Sequence, residues 1–452
     1  MLISFALENW ASFRDRASLS MIASKERQHA GRIPRVPKYP VRILPVTAIY
    51  GGNASGKSTL FRALAFVRDL VIRGTLPDEP IRVEPFLLSA DGVQRPTSFA
   101  FELLIDETIY EFSFSATHQA VVEEKLVRIR SDREETLYHR HDGKLDRKDD
   151  KNGQQDFLHF TFQGTRDNQL FLTNAVFQKV DDFKPVYNWF RNTLVLIAPE
   201  ARYQPMERFL NDSDPLYTAM NEMLGRLDTG IAHLGTEELQ SGGAAVLDVL
   251  EPVLNDLGEG MTVRLHVAGF GERFLATRRE GQLAVSRMVA CHARSDGKEV
   301  RFGMDMESDG SVRVIDLLPA FLPLGAGLDT GRVYVIDELD RSLHTLLTRS
   351  LLEYYLAACS PKSRTQLLFT THDVLLMDQH ILRRDEMWVT ERGLDGASSL
   401  SSFSDYDLRF DKDIRKSYLQ GRLGGIPRIL LSGALPPTAA TNRTARHDSA
   451  QV

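Results

Sequence analysis

Residues 46–60, V-T-A-I-Y-G-G-N-A-S-G-K-S-T-L, decide the fold. A run of β-branched and aromatic residues, 46–50, leads into a glycine-bounded loop, 51–58, and an apolar pattern with helical spacing begins at Leu60. The loop matches G-x-x-x-x-G-K-[ST] in the strand–loop–helix context that this motif requires. The stretch therefore predicts a cradle for phosphate groups.

The residue types of this loop explain the predicted chemistry. Glycines without a Cβ let the backbone point several N–H groups inward, and the following helix adds the positive end of its dipole. Lys57 can reach the outer phosphates, and the Ser58 hydroxyl is suited to bind Mg²⁺. We expect ATP and Mg²⁺ as cofactors. The predicted nucleotide-binding residues are Gly51, Asn53, Gly56, Lys57, Ser58 and Thr59.

The composition is typical of a globular protein: 452 residues, 42% hydrophobic and 26% charged, with a net charge of −6. No apolar run is long enough to span a membrane and no basic leader opens the sequence, so we expect a cytoplasmic protein with no membrane partner. Cys291 and Cys359 lack metal-ligand spacing, so neither disulfides nor a structural zinc are expected. The negative charge excludes a general basic coat for nucleic acid, but not a local patch.

Short strands dominate the first part of the chain. Residues 1–21 alternate as two strands around 9–15, and Asp142-Gly143 is a hairpin signal. Further β-rich runs are 99–105, 109–114, 121–128 and 136–140. These runs predict an antiparallel sheet beside the nucleotide core. The basic segment 24–45 is predicted to be a loop that either packs near an adenine or forms a solvated linker.

A change of period after residue 168 predicts a helical lobe. Helical spacing covers 170–180, 186–193, 203–227 and 242–257, and strand spacing returns at 261–267 and 284–292. Sustained heptads are missing, which argues against long coiled-coil arms.

A second acidic motif completes the predicted site. Residues 332–340, R-V-Y-V-I-D-E-L-D, form a buried strand ending in carboxylates. Asp337 is the predicted Mg²⁺ ligand, and Glu338 is the predicted catalytic base that orients the attacking water. Ahead of this strand, E-S-D-G-S-V-R (307–313) opens a helix whose N–H groups can face an anion. Behind it, T-T-H-D (370–373) places His372 where it can donate to a γ-phosphate.

The order of these motifs resembles the ABC-type ATPase heads of the RecF/SMC superfamily. It is more closely similar to the stand-alone ATPases of bacterial abortive-infection systems, RloA-like and AriA-like, which are related to the OLD-family ATPase. The resemblance covers residues 5–427, from F-x-L-E-N-W-x-S-F to K-D-I-R-K-S-Y-L-Q-G-R-L-G-G-I-P. It implies an α/β fold: an ABC-type P-loop NTPase head with a mixed sheet, an antiparallel β subdomain and an inserted helical lobe.

The resemblance also implies a domain order and an oligomer. The expected parts are an N-terminal ATPase lobe (1–165), the helical lobe (166–300), a C-terminal ATPase lobe (301–430) and a disordered tail (431–452). Ser308 and Gly310 of one subunit would complete the site of another, so at least a homodimer is expected. Asp340 would lie at the subunit seam, and His344 either joins it or is a helix-surface histidine.

Three departures from the family pattern matter. Glu307 stands where transporters carry an apolar residue, and Pro319 and Pro323 are expected to shorten the helix behind it. The glutamine that touches Mg²⁺ is either Gln169 or Gln178. Only 80 residues follow His372 (452 − 372), so we expect no built-in nuclease of the OLD type.

Three functions remain open at this point. The first is a sensor or regulator of an anti-phage system that acts on a separate effector protein, a nuclease or toxin. The second is a RecF-like ATPase that binds DNA in repair, and the third is a nucleotide-binding scaffold with little turnover. The basic segment 405–428 is either a docking surface for protein or nucleic acid or a solvated face.

Overall fold

The computed structural model describes residues 1–146, 155–200, 214–238, 257–259, 262–266, 273–279, 281–406 and 413–425. Within these residues the protein is mixed α/β, with three β-sheets and eight α-helices. The predicted helix at 242–257 and the predicted tail lie outside the described residues.

The central sheet is mostly parallel. Its strands are β3 (Val46–Gly51), β9 (Leu194–Ile197), β15 (Val333–Ile336), β16 (Gln366–Thr370), β17 (Met387–Arg392) and β18 (Ser398–Ser402). They lie in the order β18-β17-β3-β16-β15-β9, and only the edge strand β18 is antiparallel to its neighbour. We call the side where β3, β15 and β16 end the carboxyl edge, and the side where they begin the amino edge.

The predicted antiparallel sheet is present beside this core. Its strands are β1 (Leu2–Glu8), β2 (Ala17–Ser20), β4 (Thr97–Ile105), β5 (Thr108–Ala116), β6 (Val121–Ile129), β7 (Glu134–His141) and β8 (Lys144–Asp146), in the order β2-β1-β4-β5-β6-β7-β8. Asp142 and Gly143 both have positive φ, 47° and 70°, as a tight two-residue hairpin turn requires.

The third sheet corrects the prediction of a helical lobe at 166–300. Its strands are β10 (His233–Glu238), β11 (Thr262–His266), β12 (Arg273–Arg279), β13 (Gln282–Ala293) and β14 (Glu299–Gly303). They run in the order β10-β13-β12-β11, with β14 also paired to β13. Residues 194–197 form a further strand, β9 of the central sheet. A four-residue apolar run has no period that separates strand from helix, and parallel pairing with β15 decided the outcome.

The helices flank the sheets. They are α1 (Lys57–Arg73), α2 (Gln155–Gln163), α3 (Phe171–Phe177), α4 (Lys184–Asn188), α5 (Pro215–Arg226), α6 (Asp309–Gly325), α7 (Thr345–Ala358) and α8 (Ile414–Leu419). A π-helical turn, Trp189–Thr193, extends α4. Short 3-10 turns lie at Ala30–Arg32, Asp181–Phe183, Val374–Leu376, Arg384–Glu386 and Phe403–Asp405.

Two hydrophobic cores cover the two faces of the central sheet. Alternate residues of β3 point to opposite faces, so Ile49 joins one core while Ala48 and Tyr50 join the other. The first core contains α1, α3 and the antiparallel sheet, and Phe101 of that sheet packs edge-to-face on Phe190 at 5.1 Å. The second contains α5, α6 and α7. The central sheet is therefore buried on both faces, as parallel sheets usually are.

The prolines of α6 do not shorten it, contrary to the sequence expectation. The helix runs for 17 residues through Pro319 and Pro323, and both prolines are buried. A proline inside a helix costs roughly 3 kcal/mol through a lost hydrogen bond and a steric clash. Burial of almost every apolar side chain from Val314 to Leu324 offsets this cost.

Candidate nucleotide site

The phosphate loop joins β3 to α1 at the carboxyl edge. Gly51 has φ 149°, and a Cβ there would overlap the Thr390 side chain of the neighbouring strand β17. Gly56, with φ 114°, is the N-cap of α1, and a Cβ there would lie 2.9 Å from Ser398 Oγ. Both positions therefore need glycine. The Thr59 N–H of α1 donates to the Gly56 carbonyl at 3.1 Å, whereas the Lys57 and Ser58 N–H groups have no acceptor among the described residues and are open to an anion.

Lys57 is folded back on its own loop. Its Nζ donates to the carbonyl oxygens of Gly51 at 2.8 Å and Gly52 at 3.0 Å, and the residue is 5% exposed. Burial lowers the Lys57 pKa to about 8, although the carboxylates of Asp337, Glu338 and Asp340 oppose that shift. The ammonium group is thus held by weak acceptors and can turn toward a phosphate.

Asp337 and Glu338 lie at the end of β15, two strands from the loop. Neighbouring strands are about 4.8 Å apart, so the ends of β3 and β15 are roughly 10 Å from each other, with β16 between them. Thr370 at the end of β16 contacts both Asp337 and Glu338. Its Oγ1 donates to Asp337 Oδ1 at 2.5 Å and accepts from the Glu338 backbone N–H at 2.8 Å. Asp337 is 4% exposed.

Glu338 adopts an unusual backbone conformation. Its φ of 50° is in the left-handed region, which costs a non-glycine residue of order 1 kcal/mol or more. The side chain remains one-third exposed, and Arg341 Nη1 is 3.8 Å from its carboxylate. The left-handed turn therefore keeps the carboxylate at the edge of the sheet, accessible to solvent.

His372 contacts Lys57 directly. Its Nδ1 lies 3.4 Å from Lys57 Nζ, and its backbone N–H donates to Asp340 Oδ2 at 3.4 Å. Burial, reinforced by the positive charge of Lys57, lowers the pKa of His372. The other oxygen of Asp340, Oδ1, is buried and has no hydrogen-bond partner among the described residues. The structure thus brings Lys57, Asp337, Glu338 and His372 together around Thr370.

Two other predicted binding residues are exposed on the loop and helix start. Asn53 and Ser58 face solvent, so their side chains are free to meet a ligand. Thr59 is instead buried beneath the N-terminal segment, where its carbonyl accepts from Trp10 Nε1 at 3.3 Å. Thr59 therefore has a packing role in this structure.

Ser308 and Gly310 are separate from this group. Ser308 is the N-cap of α6, where its Oγ accepts from the Ser311 N–H at 3.1 Å, and a Cβ on Gly310 would lie 3.0 Å from the Ser342 carbonyl. Among the described residues, no hydrogen bond or ion pair joins Ser308 or Gly310 to the phosphate loop. His344 is the N-cap of α7, with Nδ1 accepting from the Leu346 N–H at 3.2 Å.

Neither candidate glutamine is at the phosphate loop. Gln169 is buried near Gly74, just past the far end of α1, and the 17 residues of α1 span about 25 Å. Gln178 is the C-cap of α3. Gln169 and Gln178 were predicted as candidate Mg²⁺ contacts from their position in the sequence alone.

Arg313 is a site residue that the sequence reasoning did not single out. It is 5% exposed, and its guanidinium donates to the carbonyl oxygens of Ala198 at 3.2 Å and of Asp337 and Glu338, both at 3.3 Å. Burial lowers the pKa of Arg313, while nearby Asp316 opposes that shift. One side chain thus ties α6 to the ends of β9 and β15. The sequence signal that could have identified Arg313 is that it is the single arginine of a largely apolar helix.

The basic segment 24–45 does not lie near the loop. Arg32 pairs with Glu386, and the Ser24 N–H donates to Asp385 Oδ2 at 2.7 Å. Asp385 and Glu386 immediately precede β17, so the segment covers the amino edge. These contacts are those of a packed segment and not of a solvated linker.

A phosphate loop, a carboxylate pair two strands away and a histidine just past the end of the strand between them define a P-loop ATPase of the AAA/ABC-like class. Residues 46–378 match the family described as "AAA domain, putative AbiEii toxin, Type IV TA system". Since this span covers well over half of the 452 residues, the chain belongs to that family, within the abortive-infection group. No curated protein matches the sequence. No helix among the described residues is long and apolar enough to cross a membrane.

Proposed function

We propose that this protein is a Mg²⁺-dependent ATPase that works as an ATP-sandwich dimer or higher oligomer. The convergence of Lys57, Asp337, Glu338 and His372 at one edge of the central sheet carries this proposal. Open N–H groups of Lys57 and Ser58, a lysine held by loop carbonyls and His372, and a carboxylate two strands away fit a Mg²⁺–nucleotide complex.

Each residue of the site has a proposed role. Lys57 leaves the Gly51 and Gly52 carbonyls and binds the outer phosphates, while Ser58 and Asp337 hold Mg²⁺, which neutralises charge on the phosphates when it is bound. Glu338 orients the attacking water and accepts its proton. His372 responds to the γ-phosphate, since it contacts Lys57 directly. Arg313 fixes the backbone from which Asp337 and Glu338 project.

The proposed sandwich rests on the exposed position of the α6 N-terminus. Ser308 is exposed at the positive end of the α6 dipole, and no hydrogen bond among the described residues joins it to the phosphate loop of the same subunit. Leu346 and Leu375, which follow His344 and His372, are 66% and 49% exposed. An apolar, anion-binding surface beside the site fits a second copy that brings its own Ser308 and Gly310 to Lys57.

The proposed biological role is that of an RloA-like or AriA-like regulator that holds or releases a separately encoded effector according to nucleotide state. The family description, with its toxin–antitoxin and abortive-infection terms, supports this role. A RecF-like DNA-binding ATPase is the second candidate, because Lys416 and Arg422 of the basic segment are exposed. Salt-dependent DNA binding that is lost in Lys416→Glu/Arg422→Glu would favour it.

The ATPase proposal is tested by measuring mass in solution together with phosphate release, with ATP and Mg²⁺ present. We expect Glu338→Gln to stop release yet trap an ATP-dependent assembly, and Lys57→Ala to form none. Glu353→Gln, an exposed change on α7, is the matched control and should behave as wild type. An assembly state that ignores nucleotide, or normal hydrolysis by Glu338→Gln, would contradict the proposal and favour the scaffold.

A mixing experiment tests whether the site is shared between subunits. Lys57→Ala and Ser308→Arg should each be inactive alone, because every site then lacks one half. In a mixed dimer, one site combines the intact loop of the Ser308→Arg chain with the intact Ser308 of the Lys57→Ala chain. Recovery of hydrolysis on mixing is expected, and no recovery in a mixture that forms the mixed dimer would exclude the sandwich.

A further inference from the structure

Three side chains with metal-binding atoms converge on the third sheet, away from the nucleotide site. They are His233 on β10, Cys291 on β13 and Glu299 on β14. One nitrogen, one sulfur and one carboxylate oxygen from these residues all lie within 4.8 Å of one another. The residues are far apart in sequence, which is why ligand spacing gave no signal.

Strand register explains why they meet. His233 is directly opposite Cys291 across the β10–β13 pair. Glu299 is opposite Ala293 across the β13–β14 pair, two residues from Cys291 and so on the same face. Cross-strand neighbours and diagonal neighbours are close enough for such side chains to share a ligand.

The surroundings of His233, Cys291 and Glu299 favour binding of a metal ion by each of these side chains. Cys291 is 1% exposed. A Cβ on Gly235 of the neighbouring strand would lie 3.5 Å from the Cys291 sulfur, so this glycine leaves space beside it. Arg301 Nε donates to Glu299 Oε1 at 3.1 Å, whereas Glu299 Oε2 lies 3.3 Å from His233 Nε2. Arg301 therefore orients the carboxylate and leaves one oxygen for a metal, as outer-sphere partners of metal ligands do.

We propose that His233, Cys291 and Glu299 form a binding site for one Zn²⁺ ion. Nitrogen, sulfur and a single carboxylate are the ligands that zinc prefers, and a water molecule would complete four-coordination. Ligand atoms about 2.0–2.3 Å from a common tetrahedral centre are roughly 3.3–3.8 Å apart, so small side-chain rotations suffice. The site is separate from the proposed Mg²⁺–nucleotide site and does not depend on it.

Binding requires the thiol to lose its proton. Burial, together with the hydrogen bond to Glu299, raises the pKa of Cys291 to about 11, so the metal-free residue is a thiol at neutral pH. The S–H proton leaves to solvent as the S–Zn bond forms, and the water of the hydrated ion is displaced. The thiolate and the Glu299 carboxylate then balance the two positive charges of the ion.

The position of the site indicates a structural role. It joins β10, β13 and β14, and β14 ends at Gly303, five residues before Ser308. His292, next to Cys291, contacts Glu307 at 2.6 Å. Zinc would therefore fix the sheet that leads into the N-terminus of α6.

The experiment uses full-length protein stripped of metal with a chelator and then titrated with Co²⁺ without nucleotide. We expect one Co²⁺ per chain, a thiolate-to-cobalt absorption band in the near ultraviolet, and displacement by Zn²⁺. Zn²⁺ should also raise the thermal midpoint of the wild type. If the three side chains form only a hydrogen-bonded cluster, neither the absorption band nor the rise in thermal midpoint will be observed. That outcome would overturn the proposal.

Variants locate the site. Cys291→Ala should abolish the band, and His233→Gln and Glu299→Gln should weaken Co²⁺ binding by at least about tenfold. Cys359→Ala, which removes the other buried cysteine, and Lys57→Ala should both keep the band, so the result is independent of the nucleotide site. If Cys291→Ala fails to fold, the variants of the more accessible His233 and Glu299 test the site instead. Unchanged affinity in both His233→Gln and Glu299→Gln would overturn the assignment.

Discussion

The carboxyl and amino edges of the central sheet both bury charged groups, but they treat them in opposite ways. At the carboxyl edge, Lys57 has a depressed pKa, Glu338 has a left-handed backbone, and Asp340 Oδ1 has no partner. At the amino edge, Arg383 is fully buried and saturated with partners. The amino edge pairs most of its charged groups internally, with Glu386 Oε1 as an exception that has no hydrogen-bond partner among the described residues. The carboxyl edge instead leaves such groups beside the phosphate loop.

The amino edge is organised around Arg383. Its guanidinium donates two parallel hydrogen bonds to Asp385, at 2.8 and 2.6 Å, and two more to the carbonyls of Glu26 and Gln28, at 2.9 and 2.7 Å. Burial alone would raise the pKa of Asp385, but the hydrogen bonds and charge of Arg383 outweigh it and lower that pKa. A network of this kind fixes structure, because every nitrogen of the Arg383 guanidinium donates to a partner within the fold.

This difference distinguishes charged groups that are available to bind a ligand from charged groups that stabilise the fold. Unsatisfied or strained groups beside a phosphate loop are candidates for ligand binding, whereas bidentate buried pairs serve the fold. Changes at the amino edge should therefore affect stability and spare nucleotide binding, and changes at the carboxyl edge should do the reverse. The following predictions test that contrast.

The largest effect is expected for Asp385→Ala. It leaves the Arg383 guanidinium buried without its carboxylate, and breaking a buried pair in this way costs about 3–5 kcal/mol. The free energy of unfolding, measured with urea, should fall by that amount while ATP affinity in the remaining folded protein is unchanged. Arg82→Ala, which breaks the exposed Arg82–Glu79 pair, is the control and should cause no measurable change. A small loss in Asp385→Ala would show that water reaches Arg383.

A pH effect on stability is expected from Glu386. Burial raises its pKa from 4.5 to about 7, although Arg32 opposes the shift. The folded protein therefore holds this proton more tightly than the unfolded chain. The resulting stabilisation is fully present below about pH 4.5 and is lost as pH rises through about 7, by at most about 3 kcal/mol.

Glu386→Gln tests this assignment, because it removes the titration and keeps the shape. The slope of unfolding free energy between pH 5 and pH 8 should be shallower in the variant than in wild type. Glu84→Gln, at an exposed position, should retain the wild-type slope. Equal slopes in Glu386→Gln and wild type would mean that Arg32 keeps Glu386 charged throughout.

Arg313→Lys should separate turnover from binding at the carboxyl edge. A lysine cannot span the carbonyls of Ala198, Asp337 and Glu338, so at least one stays unpaired at a cost of about 1–2 kcal/mol. We expect kcat for ATP hydrolysis to fall about tenfold because Glu338 is less well positioned, with little change in ATP affinity. Arg349→Lys, on the surface of α7, is the control. An unchanged kcat would remove Arg313 from the site.

Local patterns account for what the sequence predicted. The phosphate loop and its strand and helix occupy residues 46–60, and the acidic strand end is a single buried run, so each could be identified without knowing the fold. The antiparallel sheet was predicted for the same reason, because period-2 alternation and the Asp142-Gly143 turn are short-range signals.

Long-range contacts account for what the sequence did not predict. Arg313 binds carbonyls 24, 25 and 115 residues away, and Arg383 binds carbonyls more than 350 residues away. Strand β9 exists because β15 is beside it, and α6 continues past two prolines because the core buries it. In each case tertiary packing outweighed a local preference.

The last prediction is the most direct test of the carboxyl edge. Because the pKa of Lys57 is about 8, the free protein loses this positive charge above that pH, and ATP must then bind with uptake of a proton. The affinity for ATP should fall toward tenfold per pH unit above about pH 8. The phosphate itself contributes little there, since its own pKa is near 6. The lowered pKa of His372 likewise places its titration below this range. Equilibrium binding of a fluorescent ATP analogue from pH 7 to 9.5 measures the slope, and Lys57→Arg, charged throughout, should give a flat profile. A flat wild-type profile would show that the Lys57 ammonium is not the group that meets the phosphates.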